Sequence, residues 1–151
     1  MAKFRYRMQN ILDIKYKLEE QAKQNYMEIR RRLNEAEVLL DRLEKRKETY
    51  FKTYRGLVSE KLDILEIENC KEAILIMDEY IASQEKVIVV IKKELEQAEI
   101  AMKEAMKERK IHEKLKENQF ENFLQELNQE ESKEIDQLVS YQYNIGTDEE
   151  V

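Results

Sequence analysis

The residues that the chain lacks are its most informative feature. Its 151 residues include no proline, no tryptophan, one cysteine and only two glycines. Proline removes a backbone donor inside a helix, and glycine there costs about 1 kcal/mol relative to alanine. A chain that avoids both has few of the signals that end strands or short helices. The composition therefore predicts one or two very long helices, and favours a mechanical or recognition function over a catalytic one.

Disulfides and long hydrophobic runs are also missing. The single cysteine, Cys70, cannot form an internal disulfide, which favours a reducing compartment. The longest uninterrupted apolar stretch, at 87–91, is far shorter than the roughly 20 residues that span a bilayer. The first ten residues lack the apolar core of a secretory signal. We therefore expect a cytoplasmic protein.

The charge is high and unevenly distributed. Charged residues make up 40% of the chain and hydrophobic residues 42%, which suits a thin apolar seam between helices better than a thick core. Residues 1–55 carry 15 Lys and Arg against 9 Asp and Glu, whereas residues 56–151 carry 12 against 24. Opposite charge on the two halves would favour their side-by-side alignment, although each exposed ion pair contributes only about 0–1 kcal/mol.

Apolar residues recur three and four apart in both halves. Counting alternately three and four residues from Met8 to Leu57 gives 15 heptad positions, among them Ile11, Leu18 and Leu39. Ten of these 15 positions are apolar or aromatic. A flanking row adds the residues Leu12, Tyr26, Leu33, Leu40 and Tyr54. From Ile74 to Ala105 nine of ten positions are apolar. The periodicity predicts a helix in each half, with a stripe in the first half wide enough for more than one neighbour.

Two interruptions are expected in this pattern. Beyond Ala105 the same register would place Arg109, His112 and Lys116 on the seam, so the sequence predicts a phase slip to Ile111 and Leu115. Around Gly56 and Ser59 lies the only internal turn signal. We therefore predict an all-α fold, a long antiparallel two-helix coiled-coil hairpin over residues 1–143 with its turn near 56–66. Residues 144–151 are predicted to be a disordered acidic tail.

Catalytic and metal-binding chemistry has little support. His112 is the only histidine, no glycine-rich phosphate loop is present, and no ligand spacing typical of a metal site occurs. The glutamate pairs, such as Glu19 and Glu20, are interpreted as solvated helix faces. We expect no catalytic residues, no cofactor, no metal and no small-molecule substrate.

Two surface features suggest recognition. The run Arg30-Arg31-Arg32 could contact RNA or an acidic protein, or could be helix-surface charge paired with the acidic half; the acidic chain and the lack of interleaved aromatics disfavour nucleic acid. Tyr50 and Tyr54 fit the seam and its flank, but Phe51 points elsewhere. Part of this aromatic cluster is therefore either an exposed protein-binding anchor or a sign that the helix phase is misplaced.

Three stretches resemble one protein family. The first runs Phe4-x-Tyr6-x-Met8-Gln9-x-Ile11-Leu12-x-Ile14-Lys15 with Glu19-Glu20 behind it. The second is Glu108-Arg109-Lys110-x-x-Glu113-Lys114-Leu115-Lys116-Glu117, and the third is Glu130-Glu131-x-Lys133-Glu134-Ile135-Asp136. Together with the length and the central turn, over about residues 3–143, they resemble the bacterial flagellar export protein FliJ family.

That resemblance implies a non-enzymatic stalk of flagellar type III protein export, and hence a part in motility and chemotaxis. It implies insertion of the paired ends into the export ATPase ring, promotion of ring assembly, contact with the membrane export gate, and handling of export chaperones at the cytoplasmic face of the membrane. The implied ring-facing residues are Phe4, Tyr6, Met8, Leu12, Arg30, Arg31, Lys114, Phe120 and Phe123. The implied gate-facing residues are Leu43, Tyr50, Met77, Tyr80 and Ile81. The alternative is a generic coiled-coil adaptor or a stalk subunit of another rotary ATPase.

Overall fold

The computed structural model contains two long helices and describes residues 3–60 and 63–149, with side chains described for 3–59 and 63–144. α1 spans Gln9–Glu60 and α2 spans Ile64–Glu149. The described residues form no strand, and the two helices pack against each other. The predicted all-α, antiparallel two-helix hairpin is confirmed.

The break between α1 and α2 lies within the predicted range of 56–66, but not at Gly56. Gly56 lies inside α1, without a positive φ, and α1 continues to Glu60. α2 then begins at Ile64 behind Asp63, whose carboxylate accepts a hydrogen bond from the Leu65 amide at 3.1 Å. Asp63 is therefore the N-cap of α2, a signal that the sequence analysis missed.

The predicted tail at 144–151 falls mostly outside the described side chains. The backbone of α2 is helical to Glu149. Residues 61–62 of the predicted turn also lie outside the described residues, so the boundaries of the hairpin and the tail stay predictions.

The chain divides into two compact units. The terminal unit consists of Met1–Leu18 and Ala105–Val151, and the central unit consists of Glu19–Glu104. The core of the central unit joins Ile29, Leu33 and Ala36 of α1 to Ile88, Ile91 and Ala98 of α2. Burying a large aliphatic side chain contributes about 1.5–3 kcal/mol, so this seam is the main favourable term that holds the unit together.

Cross-helix pairs fix the antiparallel direction within the central unit. Arg32 of α1 pairs with Glu94 of α2 at 3.0 Å, and Lys47 pairs with Asp78 at 2.5 Å. The partner's number falls as the residue number on α1 rises, as antiparallel helices require. The Gln84 side-chain amide also donates to the Ala36 carbonyl at 2.9 Å.

The seam of α2 follows the predicted register throughout, and that of α1 follows it at every second position. Every predicted position from Ile74 to Ala105 is buried or half-buried, which confirms that stripe. On α1 alternate positions of the predicted heptad, such as Ile29, lie in the seam, whereas the others, such as Leu18, are exposed and the flanking row with Leu12 takes their place. Placing the exposed set in the seam was wrong: the partner helix packs against one edge of a wide apolar stripe.

The predicted phase slip is also absent. Arg109, His112 and Lys116 are half-buried, while Ile111 and Leu115 are exposed at 46% and 42%. Long charged side chains can lie in a seam when their apolar stems pack and their heads reach water or a partner. Glu19, expected on a solvated face, is only 4% exposed and its carboxylate lies 3.1 Å from the Lys23 ammonium.

Candidate functional site

A short segment ahead of α1 packs against α2 in the terminal unit. We call residues 3–8 the N-terminal strap. The Phe4 ring centroid lies 5.1 Å from that of Phe120 and 5.5 Å from that of Phe123, and Tyr6 is only 8% exposed. Lys3, Arg5 and Arg7 are exposed between and beside these rings. The strap therefore holds to α2 by its aromatic side chains and presents its cationic side chains to solvent.

The seam of the terminal unit is unusually polar. The Tyr16 hydroxyl donates a hydrogen bond to the Glu113 carboxylate. Glu113 also accepts from the Arg109 guanidinium at 2.9 Å, and that guanidinium lies 6.0 Å from the centre of the Tyr16 ring. Lys15 and Glu108 form a further cross-helix ion pair at 3.4 Å. These groups orient the paired helices by direct polar contact rather than by apolar packing alone.

Two buried polar atoms in this unit have no hydrogen-bond partner among the described residues. They are the Tyr6 hydroxyl and Nδ1 of His112. A buried polar group without a partner costs about 1–3 kcal/mol. His112, which the predicted phase slip would have removed from the seam, is thus a half-buried seam residue.

The three arginines at 30–32, in the central unit, all contact neighbouring side chains. Arg30 donates to the Tyr26 hydroxyl at 3.2 Å, and Arg32 pairs with Glu94. Arg31 contacts Glu28 at 2.5 Å and also Glu35, both on its own helix. This arrangement matches the interpretation of the run as helix-surface charge.

The Arg31 contacts change the pKa of both partners. The hydrogen bond from Arg31 holds the pKa of the Glu28 carboxyl below its ordinary value against the opposing effect of desolvation, and the charges of Arg31 and Arg32 lower the pKa further. The hydrogen bond with Glu28 and the charges of Glu28 and Glu35 raise the pKa of Arg31.

The aromatic cluster divides as the sequence suggested. Tyr50 and Tyr54 are half-buried, while Phe51 is 40% exposed, which confirms that part of the cluster is accessible. The Arg55 guanidinium lies 4.7 Å from the centre of the Phe51 ring. Aromatic and arginine side chains are enriched among the residues that dominate protein–protein interfaces.

The residues expected to face the ATPase ring have different structural roles. Leu12, at 2% exposed, and Tyr6 are buried packing residues, and Phe4 and Phe123 are half-buried. The accessible members are Met8, Arg30, Arg31, Lys114 and Phe120. Arg30 and Arg31 belong to the central unit and the others to the terminal unit. Their role in binding stays a prediction.

Most of the residues expected to face the gate lie in the seam. Met77 is 7% exposed, and Leu43, Tyr50 and Ile81 are half-buried, so only Tyr80, at 55%, presents most of its side chain. These residues are brought to the same part of the central unit, but four of them pack between the helices. Substitutions there would change stability as well as any binding.

Other exposed apolar residues were missed by the sequence analysis. Leu39, Val87 and Val90 are 45–56% exposed in the central unit, and their signal was the second edge of the apolar stripe. Every described side chain of α2 from 128 to 144 is exposed, including Ile135, Leu138 and Val139. This stretch of α2 has no covering helix among the described residues, and such apolar faces are typical of protein-binding surfaces.

The described residues hold no cluster of three or more His, Cys, Asp or Glu side chains suited to a metal ion. None of the helices in that part of the chain is long and apolar enough to cross a membrane.

The two paired helices define a protein of the helical-hairpin class. A sequence model described as "Flagellar FliJ protein" matches residues 4–146. The chain belongs to the Flagellar FliJ protein family, which confirms the resemblance and places it among components of flagellar or type III export.

A solved structure has the same fold. CT670 from Chlamydia trachomatis, assigned as a YscO homolog, aligns with a TM-score of 0.60 at 22% identity, covering 96% of this chain and 98% of CT670. A search of curated protein sequences finds no match.

Proposed function

We propose that this protein is a non-enzymatic, cytoplasmic stalk of flagellar type III protein export that binds the export ATPase ring. The family match over residues 4–146 is the observation that carries the proposal. It agrees with a hairpin whose two helices are joined by direct polar contacts, because a stalk must keep its helices in register while a partner moves around it.

The ring-facing surface proposed here comprises the accessible residues Met8, Lys114 and Phe120 of the terminal unit, with Arg30 and Arg31 as a separate contact. Phe4, Tyr6, Leu12 and Phe123 support this surface by packing beneath it. In the same proposal the protein promotes assembly of the ring and links it to export chaperones and, through an area around Tyr80, to the export gate. It also associates peripherally with the membrane. Leu43, Tyr50, Met77 and Ile81 would support the gate surface from the seam.

The test is co-purification of the full chain with a purified flagellar export ATPase, together with measurement of ATP hydrolysis. Charge reversal at Arg30 and Arg31 should weaken binding by about tenfold, because two exposed cations are each replaced by a repelling anion. Lys92 and Lys93, exposed on α2, provide a charge-matched control pair. Unchanged binding and stimulation with the reversed arginines would contradict that contact.

The alternative is a generic coiled-coil adaptor or a stalk of another rotary ATPase. A chain that fails to bind any flagellar export ATPase but stimulates a different rotary ATPase would favour it.

A further inference from the structure

The three cations of the N-terminal strap line one cleft. A cleft of about 760 Å³ in the terminal unit is lined by Lys3, Phe4, Arg5 and Arg7 of the strap and by Gln119, Asn122, Phe123 and Glu126 of α2. None of the three cations forms an ion pair within the described part of the chain. The cleft thus concentrates positive charge beside a single carboxylate.

The arrangement of the strap keeps these cations in place. Phe4 is held by two aromatic contacts, and Tyr6 is buried against the helices. Because the rings on either side of Arg5 are fixed, the cations are presented from a tethered segment rather than from a free end. Less conformational freedom is then lost when a ligand binds, which favours affinity.

The chemistry of the cleft suits an anion with several carboxylates. Lys and Arg side chains offer charged donors, and the Gln119 and Asn122 amides offer neutral ones within the same cleft. Carboxylates accept hydrogen bonds from both kinds of donor, and charge-assisted bonds are the stronger.

The buried aromatic residues argue against two other anionic partners. Binding at a membrane surface combines basic residues with apolar side chains that insert into the lipid. Single-stranded nucleic acid is held by basic residues together with aromatic rings on which bases stack. In the strap Tyr6 is buried, and the half-buried Phe4 ring packs against Phe120 and Phe123, so these two rings offer less surface for insertion or stacking than free rings would.

We propose that the cationic edge of the strap, Lys3, Arg5 and Arg7, docks an acidic segment of a partner protein into the cleft beside Gln119 and Asn122. Phe4 and Tyr6 act as positioning residues that hold the strap on α2. The inference rests on the proposed function in taking the partner to be a protein that meets the ring-facing end.

The experiment measures fluorescence anisotropy of a labelled synthetic peptide of alternating glutamate and alanine as the full chain is added. A combined Lys3→Gln, Arg5→Gln, Arg7→Gln variant should bind about tenfold more weakly, since three exposed charge pairs are lost. The combined variant Lys92→Gln, Lys93→Gln, Lys110→Gln removes the same charge from exposed positions on α2 and should bind as the unaltered chain does. Helix content and thermal unfolding of both variants should be unchanged, because all six side chains are exposed.

Several outcomes would overturn the proposal. Equal weakening in both variants would show a general charge effect, and equal binding of a glutamine–alanine peptide would show that carboxylates are not recognised. Tighter binding to phosphatidylglycerol vesicles than to the peptide, lost in the strap variant, would assign the cations to a membrane. If the peptide does not bind while the chain still binds the export ATPase, the result contradicts this inference and leaves the proposed function intact. If the peptide binds and the export ATPase does not, the result contradicts only the proposed function.

Discussion

The Tyr16 hydroxyl on α1 donates a hydrogen bond to the Glu113 carboxylate on α2, 97 residues further along the chain. Arg109 lies against both groups, with its guanidinium donating to the same carboxylate at 2.9 Å. One aromatic, one cation and one anion thus join the two helices of the terminal unit where the sequence led us to expect an interruption.

Replacing Tyr16 with phenylalanine removes this hydroxyl and keeps the ring beside Arg109. We expect the free energy of unfolding to fall by about 1 kcal/mol. This is the usual net contribution of an intramolecular hydrogen bond, because its donor and acceptor bond to water in the unfolded chain. Urea denaturation followed by circular dichroism measures it. Tyr141→Phe, at a position 65% exposed, is the control and should leave stability unchanged. Equal effects of the two substitutions would contradict a role for the Tyr16 contact.

Two leucines on α1 test which edge of its apolar stripe faces α2. Leu12→Ala should lower the free energy of unfolding by about 2–5 kcal/mol, because the side chain is 2% exposed and its loss leaves a cavity. Leu18→Ala, at 46% exposure, should change it by no more than about 0.5 kcal/mol. Both effects are measured by chemical denaturation. A larger effect of Leu18→Ala than of Leu12→Ala would support the predicted position of Leu18 in the seam.

Tyr6→Phe should stabilise the protein. The substitution keeps the buried ring and removes a hydroxyl that has no hydrogen-bond partner among the described residues. We expect a gain of about 1 kcal/mol, at the low end of the cost of an unpaired buried group. Thermal unfolding of the isolated protein measures the gain, and Tyr141→Phe again serves as the control. A loss of stability would mean that the hydroxyl has a partner in solution.

Gly56→Ala should also raise stability. Gly56 is helical, its φ is not positive, and no heavy atom lies within 4 Å of the position that a Cβ would take. Alanine is favoured over glycine in a helix by about 1 kcal/mol, partly through the unfolded state. Denaturation of the variant checks this expectation. Destabilisation would indicate that the chain bends at Gly56, as the sequence first suggested.

The carboxyl of Glu28 should titrate below its ordinary pKa of 4.5 because Arg31 donates a hydrogen bond to it. Because the pKa of this carboxyl is lower in the folded state, its ionised form contributes to stability at pH values above the unfolded pKa. That contribution is lost as the pH falls through the folded pKa. The group is fully exposed, so its effect on stability is small. Titration of the side-chain carboxyl carbon by NMR measures the pKa, which should rise in Arg31→Ala. An identical midpoint in both proteins would refute the pairing.

The sequence predicted the architecture because absence of proline and regular apolar spacing act over many residues at once. It also placed the seam of α2 correctly from Ile74 to Ala105, where nine of the ten positions in one register are apolar. On α1 two adjacent rows are similarly apolar, and only the partner helix determines whether Leu12 or Leu18 is covered. Periodicity in one helix carries no information about that choice.

The polar residues of the seam were harder to predict for a different reason. Arg109 and Glu19 were assigned to solvent because burial of an unpaired charge is unfavourable, but each has an oppositely charged neighbour one helical turn away. The strap was unpredictable from helical periodicity, since Phe4 and Tyr6 precede α1 and pack as an irregular segment.

The hydrogen bond from Gln84 to the Ala36 carbonyl and two ion pairs, Arg32 with Glu94 and Lys47 with Asp78, favour one alignment of the two helices within the central unit. Sliding one helix past the other by a heptad would still match apolar residues with apolar residues over much of the seam. It would, however, break these three contacts at the same time. A force applied along the helix axes would therefore meet a discrete energy barrier instead of smooth sliding.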